Sequence, residues 1–256
     1  MTNVRVIARL DVKGENVINT IQLEGLRVVG KPNELALKYC KQQVDEILII
    51  DQVASLYQRG HLIELTRDFA RDIFIPITVG GGISKLEDAR ALLRAGADKI
   101  AINTAVTKNP ELISELAREF GRQCIVVSIQ SKRIGDGIWE AYCDGGRERT
   151  NLDVISWSKA AVELGAGELL VTSIDRDGTR RGYDVELLSR VSSVVNVPII
   201  ASGGLGKPSH ATDLMRSSAC EAVAIADYLH MERGEGTPAI KAALSEAGMI
   251  VRGVGK

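Results

Sequence analysis

One motif occurs twice in this chain, half a chain apart. IPITVGGGISK over residues 75–85 returns as VPIIASGGLGK over residues 197–207. Each copy is a short β-branched run that ends in glycines and leads into a helix start, a junction that aims backbone N–H groups at an anion. The repeat is wider than the glycines. RVIARLDVK (5–13) aligns with CIVVSIQSK (124–132), EILI (46–49) with ELLV (168–171), and KIAINTA (99–105) with AVAIADY (222–228), always at an offset close to 120 residues. Four matched blocks require two copies of one half-structure in tandem. Two anion sites on one scaffold make a substrate with two phosphates the first idea.

Between the glycine motifs, eight short apolar runs alternate with amphipathic stretches. The runs, at residues 4–10, 46–51, 75–79, 99–103, 124–130, 168–173, 197–201 and 222–226, predict strands. Helices are predicted over 33–44, 85–95, 109–120, 152–164 and 238–247, among others, with Asn33 and Asn109 as N-caps and Gly96 and Gly165 as stops. Eight β–α units imply an α/β fold of the closed parallel kind, a (β/α)8 TIM barrel built from two half-barrels, roughly 1–121 and 122–256. No Pro- or Ser-rich linker divides residues 1–256, which read as a single domain.

Composition narrows the function. Acidic and basic residues nearly cancel, 33 against 32, and are mixed along the chain, which argues against nucleic acid as a partner. No apolar run reaches the roughly 20 residues of a membrane span, and residues 1–11 carry no leader pattern. Cys40, Cys124, Cys143 and Cys220 form no CxxC pair, so the expectation is reduced thiols in the cytoplasm, with neither metal nor other cofactor. His61, His210 and His230 lie at no metal-ligand spacing and read as surface or helix-end residues.

Barrel chemistry sits at the C-terminal strand ends. There the chain places Asp11, Asp51, Asn103, Gln130, Thr172, Ser173 and Ser202, with Asp175, Asp177 and Gly178 in the loop beyond. Asp11 and Asp51 are candidate acids or bases; Asp175 and Asp177, in a DRDGT loop, equally suit a turn. Arg5, Glu46, Lys99 and Glu168 each open a strand at the opposite end. Two positive and two negative groups there can pair as a floor plug, or as a gate over an internal passage.

The segments ARLDVK, GKPNELA, DEILIID, FIPITVGGGI, LLRAGADKIAINTA, NPELISELAREFG, DRDGTRRGYD and PIIASGGLGKP resemble the cyclase subunit of imidazole glycerol phosphate synthase (the HisF family) over essentially the full length. The resemblance implies a partner glutaminase at the N-terminal barrel face. It also implies ammonia crossing from floor to mouth and reacting there with a bisphosphorylated nucleotide. It assigns general acid/base duty to Asp11, phosphate binding to Gly82, Asn103, Thr104, Gly178, Gly203 and Gly204, the gate to Arg5, Glu46, Lys99 and Glu168, and a partner contact to Asp98.

Several positions depart from the family pattern. Its second catalytic aspartate falls on Gln130, the repeat partner of Asp11, and an amide accepts no proton at neutral pH. A substrate-gripping lysine falls near Asn19, and a phosphate-site serine falls on Asp227, whose repeat partner is Thr104. Arg9 replaces a small residue and shares the inward face of its strand with Arg5, Ile7 and Asp11, to pair with Asp11, Asp51 or a ligand. An intact floor and an altered mouth predict a paralogue that conducts ammonia to another acceptor, a sugar amidinated by a third enzyme in surface-polysaccharide synthesis. The alternatives are an authentic histidine-pathway cyclase and a non-catalytic scaffold that activates its glutaminase.

Overall fold

The computed structural model describes residues 3–53, 60–231 and 236–253. Its strands are β1 (Arg5–Lys13), β2 (Asn16–Ile21), β3 (Glu24–Gly30), β4 (Glu46–Asp51), β5 (Ile77–Gly80), β6 (Lys99–Ile102), β7 (Ile125–Gly135), β8 (Ile138–Cys143), β9 (Glu148–Asp153), β10 (Glu168–Ser173), β11 (Ile199–Ser202) and β12 (Ala222–Ile225). The helices are α1 (Pro32–Lys41), α2 (Gly60–Asp72), α3 (Leu86–Ala95), α4 (Thr104–Lys108), α5 (Glu111–Phe120), α6 (Val154–Glu163), α7 (Val185–Ser192), α8 (Pro208–Ser217), α9 (Asp227–His230) and α10 (Thr237–Glu246).

Eight of the strands pair in parallel in the order β1-β4-β5-β6-β7-β10-β11-β12, and β12 pairs back onto β1. The sheet is therefore a closed (β/α)8 barrel. Alternation along each strand sorts the side chains. Val6, Ala8, Leu10, Ile47 and Ile49 point outward and pack against apolar helix faces such as Ala36 and Tyr39. Ile7, Leu48, Val126, Leu170 and Ile200 point inward and fill the bore together with Ala101, Ala222 and Ala224. Each large side chain removed from water in this way contributes roughly 1.5–3 kcal/mol.

The local signals hold unevenly. Gly96 ends α3 in the left-handed region, with φ +116°, and Gly165 follows the last residue of the α6 cap with the same φ. Asn33 is not an N-cap. Lys31 precedes α1 and Pro32 opens it, since proline fixes φ and needs no helical partner for an N–H. Asn109 instead closes α4, and Pro110 is the residue from which α5 starts.

The two hairpins lie outside the predicted elements. β1 runs past its predicted end because β2 pairs with it antiparallel, Asp11 opposite Ile18. β7 does the same with β8, Gln130 opposite Tyr142. First and fifth barrel strands thus carry the same extension, so the twofold repeat reaches beyond the barrel wall. Among the described residues no helix is long and apolar enough to cross a membrane.

The glycine motifs are twins in conformation too. Gly81 has φ +115° and Gly203 φ +94°. A Cβ at Gly81 would stand 2.6 Å from the Asp51 carbonyl oxygen, and one at Gly203 2.7 Å from that of Ser173. The chain must pass that close to the preceding strand end to turn its next amides toward the mouth. Gly81→Ala and Gly203→Ala should each cost roughly 2–3 kcal/mol in urea unfolding, adding clash to an unfavourable φ. Gly14→Ala, at φ +55° with nothing within 4 Å, should cost only about 1 kcal/mol.

Candidate functional site

At the floor, the four charges that open β1, β4, β6 and β10 form a closed ring. Arg5 Nη1 donates to Glu46 Oε1 at 2.6 Å and Arg5 Nη2 to Glu168 Oε1. Lys99 Nζ donates to Glu168 Oε2 at 2.8 Å and reaches Glu46 Oε2 at 3.4 Å. Burial alone would destabilise the Arg5 cation, but the two carboxylates more than offset it and raise its pKa. Asp98 is exposed beside this ring and accepts the Ile77 amide at 2.8 Å, tying down the start of β5. Phe74, just before β5, is 90% exposed.

Above the ring comes the apolar layer of the bore, and above that Arg9. Its guanidinium is buried inside the barrel. Nε and Nη2 donate to the Asp11 carboxylate at 3.0 Å, and Nη1 donates to Thr172 Oγ1 and Ser202 Oγ, each at 3.0 Å. Asp11, one of the partners expected from the sequence, is paired with Arg9. Desolvation works against the Arg9 charge, yet Asp11 and Asp177 outweigh it and its pKa is raised. Gln52, which carries no sequence motif and was missed, donates from Nε2 to Asp11 Oδ1 at 2.6 Å. Asp11 therefore lies two residues before the end of β1, where the strand continues into its pairing with β2, and its oxygens are already engaged.

The mouth opens mainly over the first half-barrel, in a cavity of about 500 Å3. Asp51, Gly82, Asn103, Thr104 and Gln130 line it, as does Lys108, a cation that the sequence motifs did not single out. Asn103 Nδ2 donates to the Tyr142 carbonyl at 3.2 Å, and Thr104 Oγ1 accepts the Asp144 amide at 3.0 Å, so the β8 hairpin is tied to the cavity wall. Gln130 is 6% exposed and its Oε1 is buried with no hydrogen-bond partner among the described residues. An amide oxygen left so asks for a donor.

Gly178, Gly203 and Gly204 line a much smaller recess of about 20 Å3 over the second half-barrel, together with Asp227. A Cβ at Gly178 would lie 2.4 Å from the Thr20 carbonyl oxygen, so this glycine admits the β2 backbone. Asp175 and Asp177 have structural duties. Asp175 accepts the Arg133 amide at 2.8 Å, and Asp177 accepts Thr20 Oγ1 at 2.9 Å and the Leu23 amide at 3.2 Å, each pinning one hairpin. Burial pushes the Asp177 carboxyl above its usual range, with Asp11 adding to the shift and Arg9 opposing it. The histidines sit on helices α2, α8 and α9; His230 Nδ1 meets Tyr39 Oη at 2.7 Å, and burial lowers its pKa to about 4.

The Arg9–Asp11 pair has a measurable signature. Arg9→Met leaves a buried carboxylate without its cation and should cost about 3–5 kcal/mol in urea unfolding. Adding Asp11→Asn should recover part of that loss, with a coupling of roughly 1–3 kcal/mol in the double-mutant cycle.

Comparison with known proteins agrees with this geometry. A family model described as histidine biosynthesis protein matches residues 5–235. The imidazole glycerol phosphate synthase subunit HisF of Legionella pneumophila is 58% identical over 207 residues, 81% of this chain and 98% of that protein. The HisF subunits of Hydrogenobaculum sp. and Myxococcus xanthus are each 46% identical over 248 residues, 97% of this chain and 98% and 97% of theirs. With a closed (β/α)8 barrel and a mouth and floor laid out on the same repeat, the chain belongs to the histidine biosynthesis protein family, in its HisF branch.

Proposed function

We propose that this chain is the ammonia-receiving barrel of a glutamine-dependent complex. Its floor docks a glutaminase subunit, and its mouth serves an acceptor other than the histidine-pathway nucleotide. The nitrogen ends as an amidine on a sugar of surface-polysaccharide synthesis, placed there by a sugar amidotransferase. The observation that carries the reading is the contrast between the two ends: a complete charged ring at the floor, and a mouth whose Asp11 is paired with Arg9 and whose second cradle holds the Asp227–Arg180 ion pair.

The chemistry supports this contrast. A general base needs a free lone pair within reach of the proton it takes. Arg9 and Gln52 already fill three of the roughly four acceptor sites of Asp11, and Gln130 cannot take a proton at neutral pH. Of the two glycine cradles, one opens into a cavity of about 500 Å3 and the other into about 20 Å3. At the other end, Asp98 and the exposed Phe74 flank the ring and offer a docking surface. The apolar layer between favours passage of neutral ammonia over ammonium, since an unpaired charge is costly there.

A second reading has its own support: the named relatives are imidazole glycerol phosphate synthase subunits, and the larger cavity keeps Gly82, Asn103 and Thr104. Turnover of the histidine-pathway nucleotide with ammonium salt separates the two. Loss of a general base typically costs roughly 10²–10⁴-fold, and a deficit of that size is expected here. Turnover within about tenfold of a HisF subunit assayed in parallel, or growth of a cyclase-deficient strain carrying this chain, would establish the authentic cyclase instead. The floor makes a further prediction. With the glutaminase bound, Arg5→Ala should keep glutamine hydrolysis while uncoupling it from amidinated product, with the fold checked by circular dichroism. Full coupling combined with a lower melting temperature would make the ring a structural plug.

A further inference from the structure

The two cradles are equivalent in backbone and opposite in content. Asn103 before α4 has φ −139° and ψ −85°, and its repeat partner Ala226 before α9 has φ −117° and ψ −80°. Behind both stand the twin glycine turns. The first copy continues with the Thr104 hydroxyl and faces the large cavity. The second continues with Asp227, 7% exposed, and its carboxylate is held from two sides. Arg180 donates to it twice, Nε to Oδ2 at 2.5 Å and Nη2 to Oδ1 at 2.9 Å, and Asn19 Nδ2 donates to Oδ1 at 3.0 Å.

That arrangement is what an anion cradle looks like when filled. A planar guanidinium meets a carboxylate through two N–H groups, as it would meet a phosphate. Arg180 reaches Asp227 from a left-handed backbone, φ +63°, and the nearby Gly206 has no room for a Cβ, which would stand 2.5 Å from the Arg180 carbonyl oxygen. The space left is about 20 Å3, room for about a single water. Arg9 also lines the recess, but its charge is matched by Asp11. Asp227 and Asp177 both line the recess, so a phosphate there would face two carboxylates.

We propose that Asp227 is the built-in occupant of the second cradle, so that the mouth admits a ligand with one phosphate, seated in the cavity beside Gly82 and Thr104. This deepens the proposed function and rests on reading that cavity as the acceptor's site. Asp227 and Arg180 then set specificity: they exclude the second phosphate of a bisphosphorylated ligand.

Calorimetric titration of the full chain with ribose 5-phosphate and with ribose 1,5-bisphosphate tests it. The wild type should bind the two within about threefold of each other. Asp227→Thr, which restores the Thr104-like side chain and frees Arg180, should bind the bisphosphate at least about tenfold tighter, with the monophosphate unchanged, a gain in keeping with charge-assisted hydrogen bonds. Asp227→Asn, which keeps the shape, should move in the same direction and guards against a variant that fails to fold. A wild type that prefers the bisphosphate by tenfold or more overturns the proposal. So do folded variants that gain nothing, because the ion pair is then only structural. If the wild type binds neither sugar phosphate, the reading of the larger cavity fails on its own. Inorganic phosphate then decides the second cradle: capture by Asp227→Thr and not by the wild type supports closure, and capture by neither overturns it.

Discussion

Water is largely kept out of the bore of a closed eight-stranded barrel, so a charge that points into it must meet its opposite there. This chain obeys that constraint at two levels. At the floor, signs alternate around the barrel: positive from β1, negative from β4, positive from β6, negative from β10. Higher up, Arg9 and Asp11 neutralise each other within one strand, two residues apart on the same face. Between the two levels the bore is apolar. The placement of polar and apolar layers follows from which positions carry a paired charge.

The barrel was legible because its signal is periodic and repeated. Inward-facing positions recur every second residue, so alternation alone puts Arg5, Ile7, Arg9 and Asp11 on one face, and four charged strand starts mark the floor ring. The hairpins lie outside that pattern: they are single insertions after β1 and β7, short and half polar, and the insertion after β7 is marked only by its turns, Asp136-Gly137 and Asp144-Gly145. Pairing at the mouth was partly legible. Strand alternation brought Arg9 to Asp11, but Gln52, Lys108 and Arg180 lie in loops or at helix ends, where no period fixes direction. Asn33 was misread because a capping residue type two positions into a helix looks the same in sequence as one at its start, and Pro32 was the stronger sign.

Duplication left two copies of every mouth element, and the copies have diverged in a consistent direction. Asp11 faces Gln130 across the repeat, and Thr104 faces Asp227. In the first half the cradle is open, with Gly82, Asn103, Thr104 and Lys108 on its wall beside Asp51 and Asp144. In the second half it is closed by an internal ion pair. Backbone geometry has stayed nearly constant meanwhile, down to glycine turns that press against equivalent carbonyls of the preceding strands. Side chains have changed on a scaffold whose close approaches leave the main chain little freedom.

The floor ring draws three of its members, Arg5, Glu46 and Lys99, from the first half-barrel and only Glu168 from the second. Higher links follow the same pattern: Arg9 reaches across to Thr172 and Ser202, Asn19 to Asp227, and Tyr39 to His230. Neither half is electrically complete. Alone, the first would hold an excess cation at its base and the second a stranded carboxylate. The ancestral symmetry of the two units has thus become mutual dependence, and the seam between them is stitched through the inside of the molecule as well as along its wall.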